Sequence, residues 1–235
     1  MNENALKEIN LLDYERHLNT LEDDKRVLGI FEYFNSKNIF TKEMKVLEIG
    51  TLDGYHTCML AKRFKHITCT DVRPQGLHRA LFRCLFKNID NVNFKLLDAD
   101  TMHNEIEQNE YDLIFHSGVF YHLSNPVEHL ENISQLAEFI LLETHIANYD
   151  KYEAVNLNGY DGTLYPEGNW IDLRAAKDNN KSFWLNRVSL KQLIQDCNLR
   201  IVHTIYEHQP NEHGERVCYL LQRGNNEIKL CNTNI

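Results

Sequence analysis

Five side chains able to hold or move a proton, His116, Tyr121, His122, Glu143 and His145, fall in the stretches FHSGVFYHL and LLETHIA. A neutral histidine or a carboxylate so placed can take the proton from a hydroxyl acceptor. His145 or His122 is the expected general base, with Tyr121 orienting the acceptor. Each histidine also has a plain reading, as a hydrogen-bonded structural group beside an apolar strand. The three histidines and Glu143 invite a metal, but no H-x-E or H-x-x-x-H spacing supports one, and none is expected. Further upstream, Glu48, Gly50, Thr51 and Gly54 in VLEIGTLDG put an acid two residues ahead of a glycine loop. Glycine there lets the backbone approach a ligand that a Cβ would hold off. The acid disfavours a phosphate and favours a cation.

These residues need strand ends to present them. The runs KVLEIG, HITCTDV, VNFKLLDA, YDLIFHSG and FILLETHI read as strands. Between them Gly54 to Phe64, Pro74 to Lys87 and Pro126 to Leu136 read as helices, two with proline near the first turn. Regular alternation predicts a parallel sheet with right-handed crossovers and helices on both faces. Ahead of it, Leu6, Ile9 and Leu12 give a modest helical signal, and Val27, Ile30, Phe31 and Phe34 a clear one. Residues 147–186 show no sustained period. Order returns in SLKQLIQDC, with Ser189 as expected N-cap, and in two β-like runs, LRIVHTIYE and ERVCYLLQR.

At 235 residues and 43% hydrophobic content the chain can bury one substantial core. Its net charge of -9 argues against affinity founded on phosphate neutralisation, hence against a nucleic-acid partner. Arg79, Arg83 and Lys87, spaced by four, are the one feature that favours RNA, and such a row is usually a solvated face. Six cysteines without a C-x-x-C pair, and no 18-residue apolar run, predict a reduced, cytoplasmic chain that does not enter a membrane. Monomer and homodimer are both open.

Two cofactor classes use a loop of this kind. A dinucleotide needs G-x-G-x-x-G, which is missing, so a nicotinamide oxidoreductase is disfavoured. S-adenosylmethionine carries an ammonium and a sulfonium and no phosphate, and Glu48 points to it. VLEIGTLDG resembles the first motif of class I S-adenosylmethionine-dependent methyltransferases, with Leu52 where a middle glycine is commonest. YDLIFHSGVFYHLSNPVEHL and NKSFWLNRVSLKQLIQDCNL resemble later segments of one subgroup, with Asn198 and Leu199 replacing Gly-Phe. The resemblance implies an α/β fold: a seven-stranded, mostly parallel, doubly wound Rossmann-like sheet, ending in an antiparallel strand around Arg216 to Gln222. It divides the chain into an N-terminal helical cap (1–40), a cofactor-binding core (41–146), a substrate lid (147–186), a completion of the core (187–224) and a tail (225–235).

Asp71, 23 residues after Glu48, suits the ribose hydroxyls. The resemblance implies a bond from Asp98 to the adenine amino group and a backbone N–H from Ala99. Val72, His116 and Ser117 complete the expected cofactor set, with S-adenosylhomocysteine as product. Tyr121, Glu143, Tyr165, Trp170, Trp184 and Asn186 are the expected substrate-binding residues, flat faces mixed with hydrogen-bonding groups. The expected activity is O-methylation of a small polar metabolite or a saccharide or secondary-metabolite precursor. The alternatives are a tRNA wobble-uridine-modifying enzyme, which occurs in the subgroup, and a cofactor-binding partner without chemistry.

Overall fold

The computed structural model describes residues 24–168, 176 and 180–224. The helix expected at Leu6 to Leu12, Trp170 and the tail from 225 lie outside them. Helix α1 (Lys25–Ser36) comes first, capped by Asp24, whose carboxylate accepts the Arg26 N–H at 2.8 Å. It buries Val27, Ile30 and Phe34 as expected, and Tyr33 besides. Then β1 (Lys45–Ile49), α2 (Tyr55–Ala61), β2 (His66–Asp71), α3 (Pro74–Phe86), β3 (Val92–Leu96), β4 (Tyr111–Ser117), α4 (Pro126–Ile133) and β5 (Ala137–Ile146) follow. Both helix prolines sit in first turns, where a missing N–H leaves nothing unsatisfied.

After β5 come β6 (Glu153–Leu157), β7 (Tyr160–Pro166) and β8 (Lys181–Leu185), which form an antiparallel sheet of three strands. Helix α5 (Arg187–Asp196) and the hairpin of β9 (Leu199–Asn211) and β10 (Gly214–Arg223) complete the described chain. The main sheet has seven strands in the order β3-β2-β1-β4-β5-β10-β9. Strands β1 to β5 run parallel, and β10 is antiparallel to both its neighbours. The winding thus goes outward from β1 to β3, then restarts at β4 on the other side. That reversal opens a crevice at the carboxyl ends of β1 and β4.

Side-chain alternation splits the core into two layers. Leu47 and Ile49 join the layer of α4 and α5, whereas Val46 joins that of α1 and α2. Glu48 shares the face of Val46, so its carboxyl lies against α2 and accepts from the Thr57 hydroxyl.

Several expectations are corrected here. The N-cap of α5 is Asn186, three residues before the expected cap, and it accepts the Ser189 N–H at 2.7 Å, because the helix already starts at Arg187. Helix α2 ends at Ala61 and α4 at Ile133, both shorter than expected. The row of Arg79, Arg83 and Lys87 is not a continuous solvated face. Arg83 is buried, its Nε donating to the Asp53 carbonyl and its guanidinium to the Asp53 carboxylate, each at 2.7 Å. The exposed side of α3 is instead apolar, with Phe82, Leu85 and Phe86 in solvent. No helix among the described residues is long and apolar enough to cross a membrane.

Candidate active site

A cleft of about 970 Å³ lies over the carboxyl ends of the parallel strands. The β1–α2 loop forms its floor. Gly50, Leu52 and Gly54 all have positive φ, at 74°, 56° and 78°. The loop is pinned by Gly50 and Thr51 N–H groups on the Thr70 carbonyl, and by Leu52 N–H on Asp71 at 3.0 Å. A Cβ on Gly54 would come within 2.6 Å of the Ala80 backbone, so glycine lets α2 and α3 close up. Leu52 adopts the left-handed conformation that a middle glycine would take without strain.

Asp71 lines the cleft and already accepts the N–H groups of Leu52 and Arg73, at 3.0 and 2.8 Å. Burial pushes its carboxyl up. Val72, Asp98, Ala99, Ser117, Gly50 and Thr51 also line the cleft. Glu48, Gly54 and His116 do not. Glu48 is 1% exposed, and Thr57 links its carboxyl to the loop through a 2.7 Å contact with Thr51. It therefore braces the loop from below. His116 is fully buried and hydrogen-bonded to His129 at 2.8 Å, turned from the cleft by its place on the α4 side of β4.

Burial pushes the Glu48 carboxyl from its ordinary 4.5 up to about 8, against the pull of the Thr57 hydroxyl. The folded chain thus holds a proton that the unfolded chain releases. This contribution to stability is complete below about pH 4.5 and is lost as pH rises through about 8. Glu48→Gln should flatten the fall in stability between those limits by on the order of a few kcal/mol, read by urea unfolding at several pH values.

The acceptor side is built around Arg216 on β10, opposite His145 in the strand register. Its Nε donates to His145 Nε2 at 3.0 Å, and its two terminal nitrogens donate to Glu143 and to the Tyr121 hydroxyl, both at 3.1 Å. Arg26 of α1 reaches in from the other side, donating to Ser117 Oγ at 2.8 Å while paired to Asp24. Glu143, fully buried between the two arginines, accepts also from Tyr206 and does not line the cleft.

This arrangement removes His145 from the expected role of general base. Its Nε2 lone pair is taken by Arg216, and burial with that cation beside it pushes the imidazole down to about 3. His145 stacks on Trp184 at 4.4 Å, and Tyr165 stacks on the other side at 4.3 Å. Trp184 lines the cleft, but both its faces are covered, so no ligand can stack on it. Asn186 is also spent, capping α5 and donating to the Tyr149 hydroxyl at 3.0 Å.

His122 is different. Its Nδ1 lies 3.0 Å from the carboxylate of Glu167, which is itself 1% exposed and accepts the Ser182 hydroxyl and the Ala176 N–H. A carboxylate only accepts, so the proton sits on Nδ1 and Nε2 is the basic nitrogen. His122 lines the cleft with 21% of its side chain exposed. Tyr121 is adjacent; burial pushes its phenol up to about 12, keeping it a hydrogen-bond donor. Arg26, Glu167 and Arg216 went unforeseen, since each reaches the site only through tertiary contact.

A family model described as a methyltransferase domain matches residues 40–151. The chain is 31% identical over 100 residues to a malonyl-acyl-carrier-protein O-methyltransferase of Paenibacillus sp., covering 42% of this chain and 35% of that one. It is 27% identical over 168 residues to a tRNA U34 carboxymethyltransferase of Shewanella amazonensis, covering 68% and 45%. It therefore spans less than half the length of these curated relatives. Among solved structures, the N-terminal domain of EvdMO1 with S-adenosylhomocysteine bound superimposes with a TM-score of 0.67 at 22% identity, over 87% of this chain and 82% of that one. A second crystal structure of that domain was obtained in the presence of the same product and D-fucose. Strand order, loop and family model define a Rossmann-like methyltransferase domain. Residues 40–151 match that methyltransferase-domain family, and the fold is that of the class I S-adenosylmethionine-dependent methyltransferases.

The cofactor of that class is S-adenosylmethionine, and the cleft suits it. Asp53, Asp71, Asp98 and Asp100 line it, a carboxylate-rich wall favourable to a cationic nucleoside and unfavourable to a pyrophosphate.

Proposed function

We propose that this chain methylates an oxygen of a small polar acceptor, with saccharide or secondary-metabolite precursors as the acceptor class. When bound, S-adenosylmethionine supplies a methyl group already activated by sulfonium charge. The chain's residues would then align the acceptor and take its proton. Gly50, Thr51, Asp71, Val72, Asp98, Ala99 and Ser117 are proposed to hold the cofactor, with Glu48 and Gly54 shaping the loop. His122 is the proposed base, and Glu167 fixes its tautomer. Tyr121 and Tyr165 are proposed to contact the acceptor beneath the small sheet of β6, β7 and β8, the described part of the expected lid.

The observation that carries this reading is the His122–Glu167 pair in the wall of the cleft. An oxygen acceptor needs a base, and a buried carboxylate behind the imidazole enforces the tautomer that serves as one. The fold likeness to a domain crystallised with D-fucose favours a saccharide within the class. The likeness to a tRNA enzyme keeps the nucleic-acid reading in view, but the burial of Arg83 weakens the basic row that favoured it.

The test is a screen of hydroxylated small acceptors with S-adenosylmethionine, reading S-adenosylhomocysteine production. Turnover of one acceptor class supports the proposal. Product binding without turnover over the whole panel would favour a non-catalytic partner. Glu167→Gln should lower kcat on the order of tenfold or more while the affinity for S-adenosylhomocysteine, measured by calorimetry, stays at the wild-type value.

A further inference from the structure

Behind the cleft wall runs a line of polar atoms that the proposed chemistry does not use. His129, on α4, donates Nδ1–H to the Ala99 carbonyl at 2.9 Å. A carbonyl only accepts, so Nε2 of that ring carries a lone pair. His116 Nε2, on β4, lies 2.8 Å from it and must donate. The remaining His116 Nδ1 is a buried acceptor without a partner. Both rings are buried, and burial pushes His129 down to about 4 and His116 well below the ordinary histidine value, so both are neutral.

Packing alone would be served better by two apolar residues, since a buried unpaired acceptor is unfavourable. What the rings do fix is one peptide. The Ala99 carbonyl faces His129, while the N–H of the same peptide, on Asp100, donates to Asp98 Oδ1 at 3.1 Å. Asp98, Ala99 and Asp100 all line the cleft. Flipping that peptide would break both bonds, and the two histidines thereby hold the 98–100 loop in one orientation.

We propose that His129, kept in its tautomer by His116, is a positioning residue that sets the 98–100 loop to read the purine of the bound cofactor. The proposal rests on the assignment of this cleft to S-adenosylmethionine. Neither ring need touch the ligand.

Calorimetry with S-adenosylhomocysteine and with S-inosylhomocysteine, in which an oxo group replaces the purine amino group, tests it. The wild-type chain should prefer the adenine compound by about tenfold or more. In His129→Leu that preference should fall to about twofold or less, and His129→Asn, which keeps a donor near Nδ1, should restore it. On the wild-type chain, long-range proton–nitrogen NMR should find His129 protonated at Nδ1 and His116 at Nε2. A folded His129→Leu that kept the wild-type preference would overturn the proposal, as would the opposite tautomers, a result that needs no variant to fold. If the wild-type chain bound neither compound, the cofactor assignment itself would fail.

Discussion

His122→Ala should lower kcat by about 10² to 10⁴ fold, the range that one positioned general base supplies, and leave the affinity for S-adenosylhomocysteine unchanged. The effect should be that large because His145, Tyr121 and Glu143, the other groups expected to serve there, cannot stand in. His145 has its Nε2 bonded to Arg216, with the ring pushed down to about 3. Tyr121 is pushed up to about 12 and stays protonated. Glu143 is enclosed by Arg26, Arg216 and Tyr206. The check is single-turnover kinetics beside product calorimetry. A fall confined to KM would mean that His122 only binds the acceptor. His145→Gln, by contrast, should leave a measurable fraction of turnover.

The second large effect is expected at Gly50→Ala. The residue has φ at 74°, and a Cβ there would stand 2.2 Å from Val119 Cγ2. Either the loop leaves the left-handed region or Val119, stiff at its branched Cβ, moves away. Each response shifts Thr51 and Leu52, the loop residues held by Thr70 and Asp71. The expected outcome is a loss of about 1–3 kcal/mol of stability and a fall of roughly a hundredfold in affinity for S-adenosylhomocysteine. Adding Val119→Ala should recover part of both, since it removes the collision and leaves only the backbone strain. Full recovery would show that φ at residue 50 carries no cost.

Strands β1, β2, β4 and β5 were legible because strands covered by helices on both faces read as continuous apolar runs, whereas β3, at the sheet edge and largely exposed, was legible from its place in the alternation. The glycine loop was legible for the same reason: it interrupts such a run. The sheet of β6, β7 and β8 was missed, although its hairpin carries a local signal. Asn158 and Gly159, with φ at 53° and 90°, connect the paired residues Leu157 and Tyr160. Asn-Gly between two short β-prone runs is the mark of such a turn. Nothing local could have paired Glu167 with His122, 45 residues apart, or brought Arg216 onto His145 across the β5–β10 register. The same limit explains Asn186, His116 and Glu48. Their residue types suit a ligand, and only the packing assigns them to a helix cap, a buried ring pair and a loop brace.

Titration calorimetry of the purified wild-type chain with S-adenosylhomocysteine bears most directly on the cofactor cleft that everything else depends on. One site is predicted, with binding retained in His122→Ala, sharply weakened in Gly50→Ala, and silent when NAD replaces the ligand. A folded wild-type chain that gave no heat with S-adenosylhomocysteine, or bound it as tightly after Gly50→Ala, would contradict the account.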